Sequence, residues 1–140
     1  MSLIIYTPAG SSTVAIVSPT SGTADAALAA KTVPSGISYE IVANSVMPTD
    51  MTFRDAWRKV GAAINVDLAA AKVVALKIIK SRALDAVKIS TDATALGDTP
   101  THTTSAIETA YTLAKNSINA DTTVAAIKAE LNTFTSTYDS

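Results

Sequence analysis

The sequence predicts an α+β fold, in which a small antiparallel β region precedes a C-terminal part made of one long helix plus a helical hairpin. Short β-branched runs separated by Pro, Gly and Ser fill the first half, a composition typical of strands and turns. The second half repeats apolar residues at three- and four-residue spacing, which is typical of helices. Since 140 residues suit one domain, we expect a single domain, with a β-rich part at 1–66 and a helical part at 67–140.

The first two strands are predicted at residues 3–7 and 13–18, LIIYT and TVAIVS, which are rich in β-branched side chains. The Pro, Gly and Ser residues between them indicate a hairpin with a loop of about five residues. An Ala-rich segment at 23–33 predicts a short helix, for which either Thr23 or Asp25 offers an N-cap.

A third strand is predicted at residues 37–43, where Ile37, Tyr39 and Ile41 alternate on one face. Residues 62–66 predict either a last strand or an extended lead-in to the helical part. The β region therefore consists of short segments joined by turns.

Between these strands lies the segment MPTDMTFRDAW, which holds the only Trp of the chain. Thr52 and Asp55 have the spacing of a capping box, so we expect a brief helix over residues 53–59. On such a helix Phe53 and Trp57 lie four residues apart and share a face.

The candidate site residues are Phe53, Arg54, Trp57 and Arg58, where the two arginines share the face next to the two aromatics. Trp and Arg dominate the binding energy of protein interfaces, so these four residues are candidates for a partner anchor. The alternative is a structural anchor, in which a lone Trp beside a Phe fills the joint between the sheet and its helices.

The helical part is predicted to begin after Asp67, a good N-cap, with a helix of about 25 residues that ends near Asp92. This helix is apolar around most of its circumference, so we expect it to be buried on more than one side. Its large apolar residues are Leu68, Val73, Val74, Leu76, Ile78, Ile79, Leu84, Val87 and Ile89.

A loop is predicted at residues 91–104, because Gly97 and Pro100 disfavour a regular helix. Ser105 and Glu108 have capping-box spacing and predict a helix that starts there and ends near Ile118.

The last helix is predicted over residues 122–134, where Val124, Ile127 and Leu131 recur at helical spacing. The short turn at 119–121 makes the last two helices antiparallel neighbours.

Charge is distributed unevenly along the chain, although the formal net charge is only −1. Residues 1–53 carry a net −2, residues 54–88 a net +5 and residues 89–140 a net −4. Opposed blocks of this kind favour pairing within one chain or between copies. Nucleic-acid binding is disfavoured, because the basic residues alternate with apolar ones and lack aromatic stacking partners.

The composition is 48% hydrophobic but only 5% aromatic, and much of the apolar count is Ala. Small side chains bury little apolar surface, at roughly 25 cal/mol per Å². A core of this kind is thin, so we expect a homo-oligomer or a part of a larger assembly.

Chemistry-bearing motifs are scarce, and we expect no enzyme, no cofactor and no metal. The chain has no Cys, and its one histidine, His102, is expected to be exposed in a loop. Asp50, Asp55 and Asp67 lack the spacing of a calcium loop, and the glycines form no phosphate cradle. No apolar run approaches the ~18 residues of a membrane span, and the N-terminus is unlike a signal peptide.

Two neighbouring segments, VPSGISYEIVANSVM and PTDMTFRDAW, resemble a module of small bacteriophage proteins with unassigned or accessory virion functions. In that module a VP-x-G-x-x-Y-x-I-V segment leads into a P-x-D-x-x-F-R-x-AW segment. The resemblance covers roughly residues 3–72, and none is recognised from residue 73 onward. The matching residues are Val33, Pro34, Gly36, Tyr39, Ile41, Val42, Pro48, Asp50, Phe53, Arg54, Ala56 and Trp57.

The resemblance implies no catalytic residue. We expect a non-enzymatic bacteriophage structural or accessory protein, a minor or decorating component of capsid, neck or tail. Its partners would be other phage structural proteins or copies of itself, with no nucleic acid and no membrane, and it would be located in the virion or, during assembly, in the host cytoplasm. The alternative is a tail-fibre assembly chaperone, because some proteins with this module are described as tail-fibre-assembly-like. A third hypothesis is a small enzyme with His102 as base.

Overall fold

The computed structural model describes residues 1–139 and confirms the α+β prediction, with antiparallel β structure followed by helices. Its strands are β1 (Ser2–Tyr6), β2 (Ala15–Val17), β3 (Tyr39–Ala43), β4 (Trp57–Val60) and β5 (Ala63–Val66). Its helices are α1 (Ala26–Thr32), α2 (Leu68–Ala95), α3 (Thr104–Ala120) and α4 (Val124–Thr137). The chain divides into two compact units, which we call the β unit (residues 1–67) and the helical unit (from residue 68). That all 140 residues form one domain stays a prediction.

The larger sheet of the β unit is antiparallel, with the strand order β2-β1-β3. The central strand β1 is buried on both faces, because Leu3 and Ile5 point to one side and Ile4 to the other. The Ile4 face packs against α1 through Ala29, while the opposite face packs against residues of β4 and β5. Asp25, one of the two predicted N-caps, caps α1. Its side chain accepts a hydrogen bond from the Leu28 N–H at 2.8 Å.

The predicted helix over residues 53–59 is wrong. Only a 3₁₀ turn forms at Arg54–Ala56, and the chain then enters β4, which pairs antiparallel with β5. Gly61 has a φ of 58° at the first of the two loop residues, as a type II′ hairpin turn requires. The hairpin prevails because β4 pairs with β5 over four positions, every second of which exchanges backbone hydrogen bonds, whereas an isolated short helix leaves most of its end groups unsatisfied.

In the helical unit α2 begins at Leu68, directly after Asp67, and extends to Ala95, slightly beyond its predicted end. It packs against both α3 and α4, which also pack against each other as predicted. The expectation that α2 is buried on more than one side is wrong within the single chain. Its buried residues follow one stripe, and Val73, Leu84 and Ile89 are exposed. The stripe consists of Ala71, Ala75, Ile79, Ala83, Ala86 and Ser90.

The predicted capping box at Ser105 and Glu108 is also wrong. Thr103 is the N-cap of α3, since its hydroxyl accepts a hydrogen bond from the Ala106 N–H at 3.2 Å. Ser105 lies inside the first turn, where its C=O accepts a hydrogen bond from the Thr109 hydroxyl. The Thr-rich sequence before α3 offers several possible caps, and the side-chain contacts decide between them.

The N-terminus of α4 uses the same chemistry as that of α3. The hydroxyl of Thr123 accepts a hydrogen bond from the Ala126 N–H at 3.2 Å. Ile127 and Leu131, two of the three residues predicted at helical spacing, are buried in the helical unit.

Candidate functional site

The four candidate site residues lie at the junction of the 3₁₀ turn with β4. Phe53 and Trp57 are both buried, and Trp57 is 0% exposed. Arg54 and Arg58 are half-buried. The structure therefore places both aromatic side chains in the interior of the β unit, where a partner could not reach them without local unfolding.

Trp57 lies at the centre of the larger hydrophobic core of the β unit. Residues from four strands and from the segment before β2 surround it, so it joins the larger sheet to the β4–β5 hairpin. The buried members of this core are Leu3, Ile5, Val14, Val42, Trp57 and Ile64.

Arg54 lies over the ring of Trp57, with its guanidinium carbon 4.7 Å from the ring centroid, in a cation–π contact. Its Nη2 donates a hydrogen bond to the C=O of Val14 at 3.2 Å. Arg54 Nη1 and Trp57 Nε1 are buried without a hydrogen-bond partner among residues 1–139. Leaving such groups unsatisfied costs about 1–3 kcal/mol each, so apolar packing and the cation–π contact must outweigh that cost.

Arg58 holds the backbone of the same block together. Its Nη1 donates to the C=O groups of Asp55 and Trp57, both at 3.0 Å. The C=O of Trp57 also accepts from the Val14 N–H at 3.2 Å, and the C=O of Asp55 accepts from the Thr13 hydroxyl. Every polar contact described for the two arginines is thus directed at the protein's own backbone.

His102 is half-buried rather than exposed, which corrects the expectation for the loop before α3. Its ring meets that of Tyr138 edge-on, with the centroids 4.8 Å apart and an interplanar angle of 66°. Tyr138 in turn packs on Phe134 at 4.9 Å, so the loop is held against the end of α4.

A cavity of about 50 Å³ lies beside His102, which is the space of one or two water molecules. Ser90, the buried polar residue of α2, contributes to its wall and accepts a 3.5 Å hydrogen bond from the hydroxyl of Thr104.

Charged side chains of the helical unit form pairs at the surface. Arg82 and Asp139 meet at 2.6 Å, which joins the basic middle of the sequence to its acidic end. Lys88 and Asp92 also meet at 2.6 Å, and this hydrogen bond, together with the charge of the carboxylate, raises the pKa of Lys88.

Within residues 1–139, no three His, Asp or Glu side chains are grouped so that they could hold a metal ion. None of the helices in that range is both long enough and apolar enough to cross a membrane.

Large apolar side chains are exposed on regular elements of both units, and sequence reasoning missed which ones. In the β unit, Tyr39 and Ile41 are 38% and 42% exposed on β3, and Val60 is 55% exposed at the end of β4. The strand pattern placed Tyr39 and Ile41 on one face, but it did not reveal that α1 leaves β3 uncovered. The exposed set on the helices of the helical unit is Val73, Leu84, Ile89 and Leu113, and Leu96 is exposed in the turn after α2.

Comparison with known proteins gives no relative from which a function could be transferred: no protein-family model, no curated protein and no solved structure matches the chain.

Proposed function

We propose that the chain is a non-enzymatic bacteriophage structural or accessory protein, which acts through protein–protein contacts as a minor or decorating component of the capsid, neck or tail. The observation that carries the proposal is the set of large apolar side chains that both units expose on strands and helices. Exposed apolar side chains indicate a site of protein–protein contact where they form a contiguous patch, as neighbouring Tyr39 and Ile41 do on β3.

The composition of the chain supports the same proposal. Aromatic residues make up only 5% of the chain, and Val73, Leu84 and Ile89 of α2 are exposed while alanines fill most of its buried stripe. Val73 and Leu84 lie eleven residues apart and so share a face of α2, whereas Ile89 lies on another side. At roughly 25 cal/mol per Å², covering Val73 and Leu84 with a partner would stabilise the complex by a few kcal/mol before the costs of association.

The charges of α2 favour a protein partner with acidic groups. Lys77 and Lys80 are exposed on this helix, close in sequence to the exposed Val73 and Leu84. Apolar groups next to lysines match a partner surface that presents apolar and acidic side chains together, and the acidic final segment of another copy has that composition. The resemblance of residues 3–72 to the module of small phage proteins indicates particle assembly as the context.

Quantitative mass spectrometry of purified phage particles tests this proposal. A structural component is expected in many copies per particle and in constant ratio to the major capsid or tail proteins. A tail-fibre assembly chaperone, the alternative role, would be abundant in infected cells and depleted from the finished particle. Absence from particles, together with a monomeric state in solution and no capture of any particle protein, would contradict both roles.

A further inference from the structure

Strand β3 forms the outer edge of its sheet along all five of its residues. The order β2-β1-β3 leaves one side of β3 without a partner strand in residues 1–139. The opposite edge is shorter, since β2 has three residues and the Val14 N–H next to it already donates to the C=O of Trp57. An unpaired five-residue edge is a template for the addition of another strand.

The direction of the backbone groups on β3 follows from its register with β1. Asn44 donates its N–H to the C=O of Met1, and this pair continues the register Leu3↔Val42 and Ile5↔Glu40. In an antiparallel ladder every second residue bonds to the same neighbour. Glu40 and Val42 therefore bond to β1, whereas Tyr39, Ile41 and Ala43 direct their backbone groups to the free edge.

The side chains next to this edge are apolar and exposed. Tyr39, Ile41 and Ala43 share the sheet face on which α1 covers Ile4 of β1, but α1 does not reach across to β3. Tyr39 and Ile41 remain 38% and 42% exposed as a result. β-Branched and aromatic side chains on an open edge are the combination that strand pairing stabilises most.

We propose that β3 pairs antiparallel with β3 of a second copy, about a two-fold axis that passes through the Ile41 pair. Ile41 then lies opposite Ile41 of the second copy, and Tyr39 lies opposite Ala43. Because the outward-directed residues face each other in this register, their N–H and C=O groups bond across the axis. The result is one six-stranded sheet, with an apolar strip along the junction.

Charge and the number of paired residues favour this register over the other two-fold registers. Moving the axis to Glu40 would place two carboxylates directly opposite each other, and like charges in that position are destabilising. Moving it to Val42 would leave only residues 41–43 paired between the two copies of β3. With the axis at Ile41, Glu40 lies opposite Val42 and all five residues are paired.

The junction is small for a protein interface, because specific stable complexes bury roughly 1,200–2,000 Å² in total. Five residues from each copy are far fewer than the roughly 20–30 a side of a standard interface. We therefore expect a weak, reversible dimer, which a phage particle would stabilise further by holding many copies close together. The inference rests on the proposed function only in taking a second copy as the partner.

Opposite charges at position 41 test the pairing. Ile41→Lys and Ile41→Glu place like charges across the axis, so each variant alone is expected to sediment as a monomer over the concentration range in which the natural chain dimerises. An equimolar mixture of the two places Lys opposite Glu and is expected to recover the dimer. Position 41 is already solvent-exposed, so both variants are expected to fold, which far-UV circular dichroism and Trp57 fluorescence verify.

Val60→Lys is the matched control, since Val60 is 55% exposed on the other sheet of the same unit and is expected to leave the dimer unchanged. The proposal is overturned if the natural chain is monomeric at all concentrations, if the position 41 variants dimerise like it, or if the mixture of Lys and Glu variants stays monomeric. These outcomes are distinct from failure of the proposed function, which mass spectrometry of phage particles decides.

Discussion

The core of the β unit and the longest helix of the helical unit bury different kinds of side chain. The core of the β unit is built from Trp57 and large aliphatic residues, with Ile4 and Ile5 buried on opposite faces of one strand. In the helical unit the longest helix buries four alanines, one isoleucine and one serine. The bulk of the helical core comes instead from α3 and α4, which bury Ile107, Ile118, Ile127, Leu131 and Phe134. Removing bulk at Trp57 should therefore damage the β unit, and adding bulk to the Ala-rich stripe of α2 should damage the helical unit.

The largest expected effect is the loss of bulk at the centre of the β unit. Trp57→Ala is expected to destabilise this unit by about 3–5 kcal/mol, because it removes buried apolar surface and leaves a cavity. Hydrogen exchange of peptides from residues 1–67 measures the change as lost protection. Trp57→Phe, which keeps an aromatic ring, is the control and should cost clearly less. Equal protection in both variants would show that Trp57 is not the central residue of this core.

The converse change tests the helical unit. Ala75→Leu adds volume to the buried stripe of α2 and is expected to cost about 1–3 kcal/mol through overpacking. Ala69→Leu is the matched control, since Ala69 is exposed on the same helix and should change stability by no more than about 0.5 kcal/mol. Exchange protection in peptides from residues 68–139 distinguishes them, and a tolerated Leu at position 75 would mean that the helices pack loosely.

The two arginines of the candidate site provide a finer comparison within the β unit. Arg54→Ala removes the contact with the Trp57 ring and the bond to the C=O of Val14, and is expected to cost about 1–2 kcal/mol. Arg58→Ala should cost less, because the C=O of Trp57 keeps its bond from the Val14 N–H. Urea denaturation followed by Trp57 fluorescence measures both variants, and the reverse order would contradict the assigned roles.

The smallest effect concerns the start of α3. Thr103→Ala removes the N-cap hydrogen bond to the Ala106 N–H and is expected to cost about 1 kcal/mol. Ser105→Ala, two residues further on, is expected to be almost neutral, since the hydroxyl of Ser105 does not cap the helix. Thermal unfolding followed at a helical circular dichroism band compares them. A larger loss for Ser105→Ala would restore the capping box predicted from the sequence.

Local patterns were sufficient for the elements that carry their own signals. The β1–β2 hairpin, α1 with its Asp25 cap and the three helices of the helical unit follow from β-branched runs, turn residues and apolar spacing. Strand β4 did not follow, because Thr52 and Asp55 match a helix start while the pairing with β5 decides the structure. At this segment the pairing of β4 with β5 overrides the local helix propensity.

The buried face of α2 and the place of His102 were missed for a related reason. Large apolar residues occur all around α2, so the sequence pattern identified no single buried face. The packing of α3 and α4 determines that an Ala-rich stripe of α2 is buried. His102 contacts Tyr138, which follows it by 36 residues in the chain, and no local pattern links these two residues. At the candidate site, the sequence pattern could not reveal the burial of Trp57, because that burial depends on strands distant in sequence.

Phe53, Ala56 and Trp57 lie in the interior of the β unit, so that a partner would have to contact other surfaces. Because Trp57 is the only Trp in the chain, fluorescence reports on it alone. Burial of Trp57 predicts an emission maximum shifted to the blue of free Trp in water and weak quenching by acrylamide and iodide, both lost on denaturation. A maximum at the position of free Trp, with full quenching in the folded protein, would show that Trp57 is an exposed anchor.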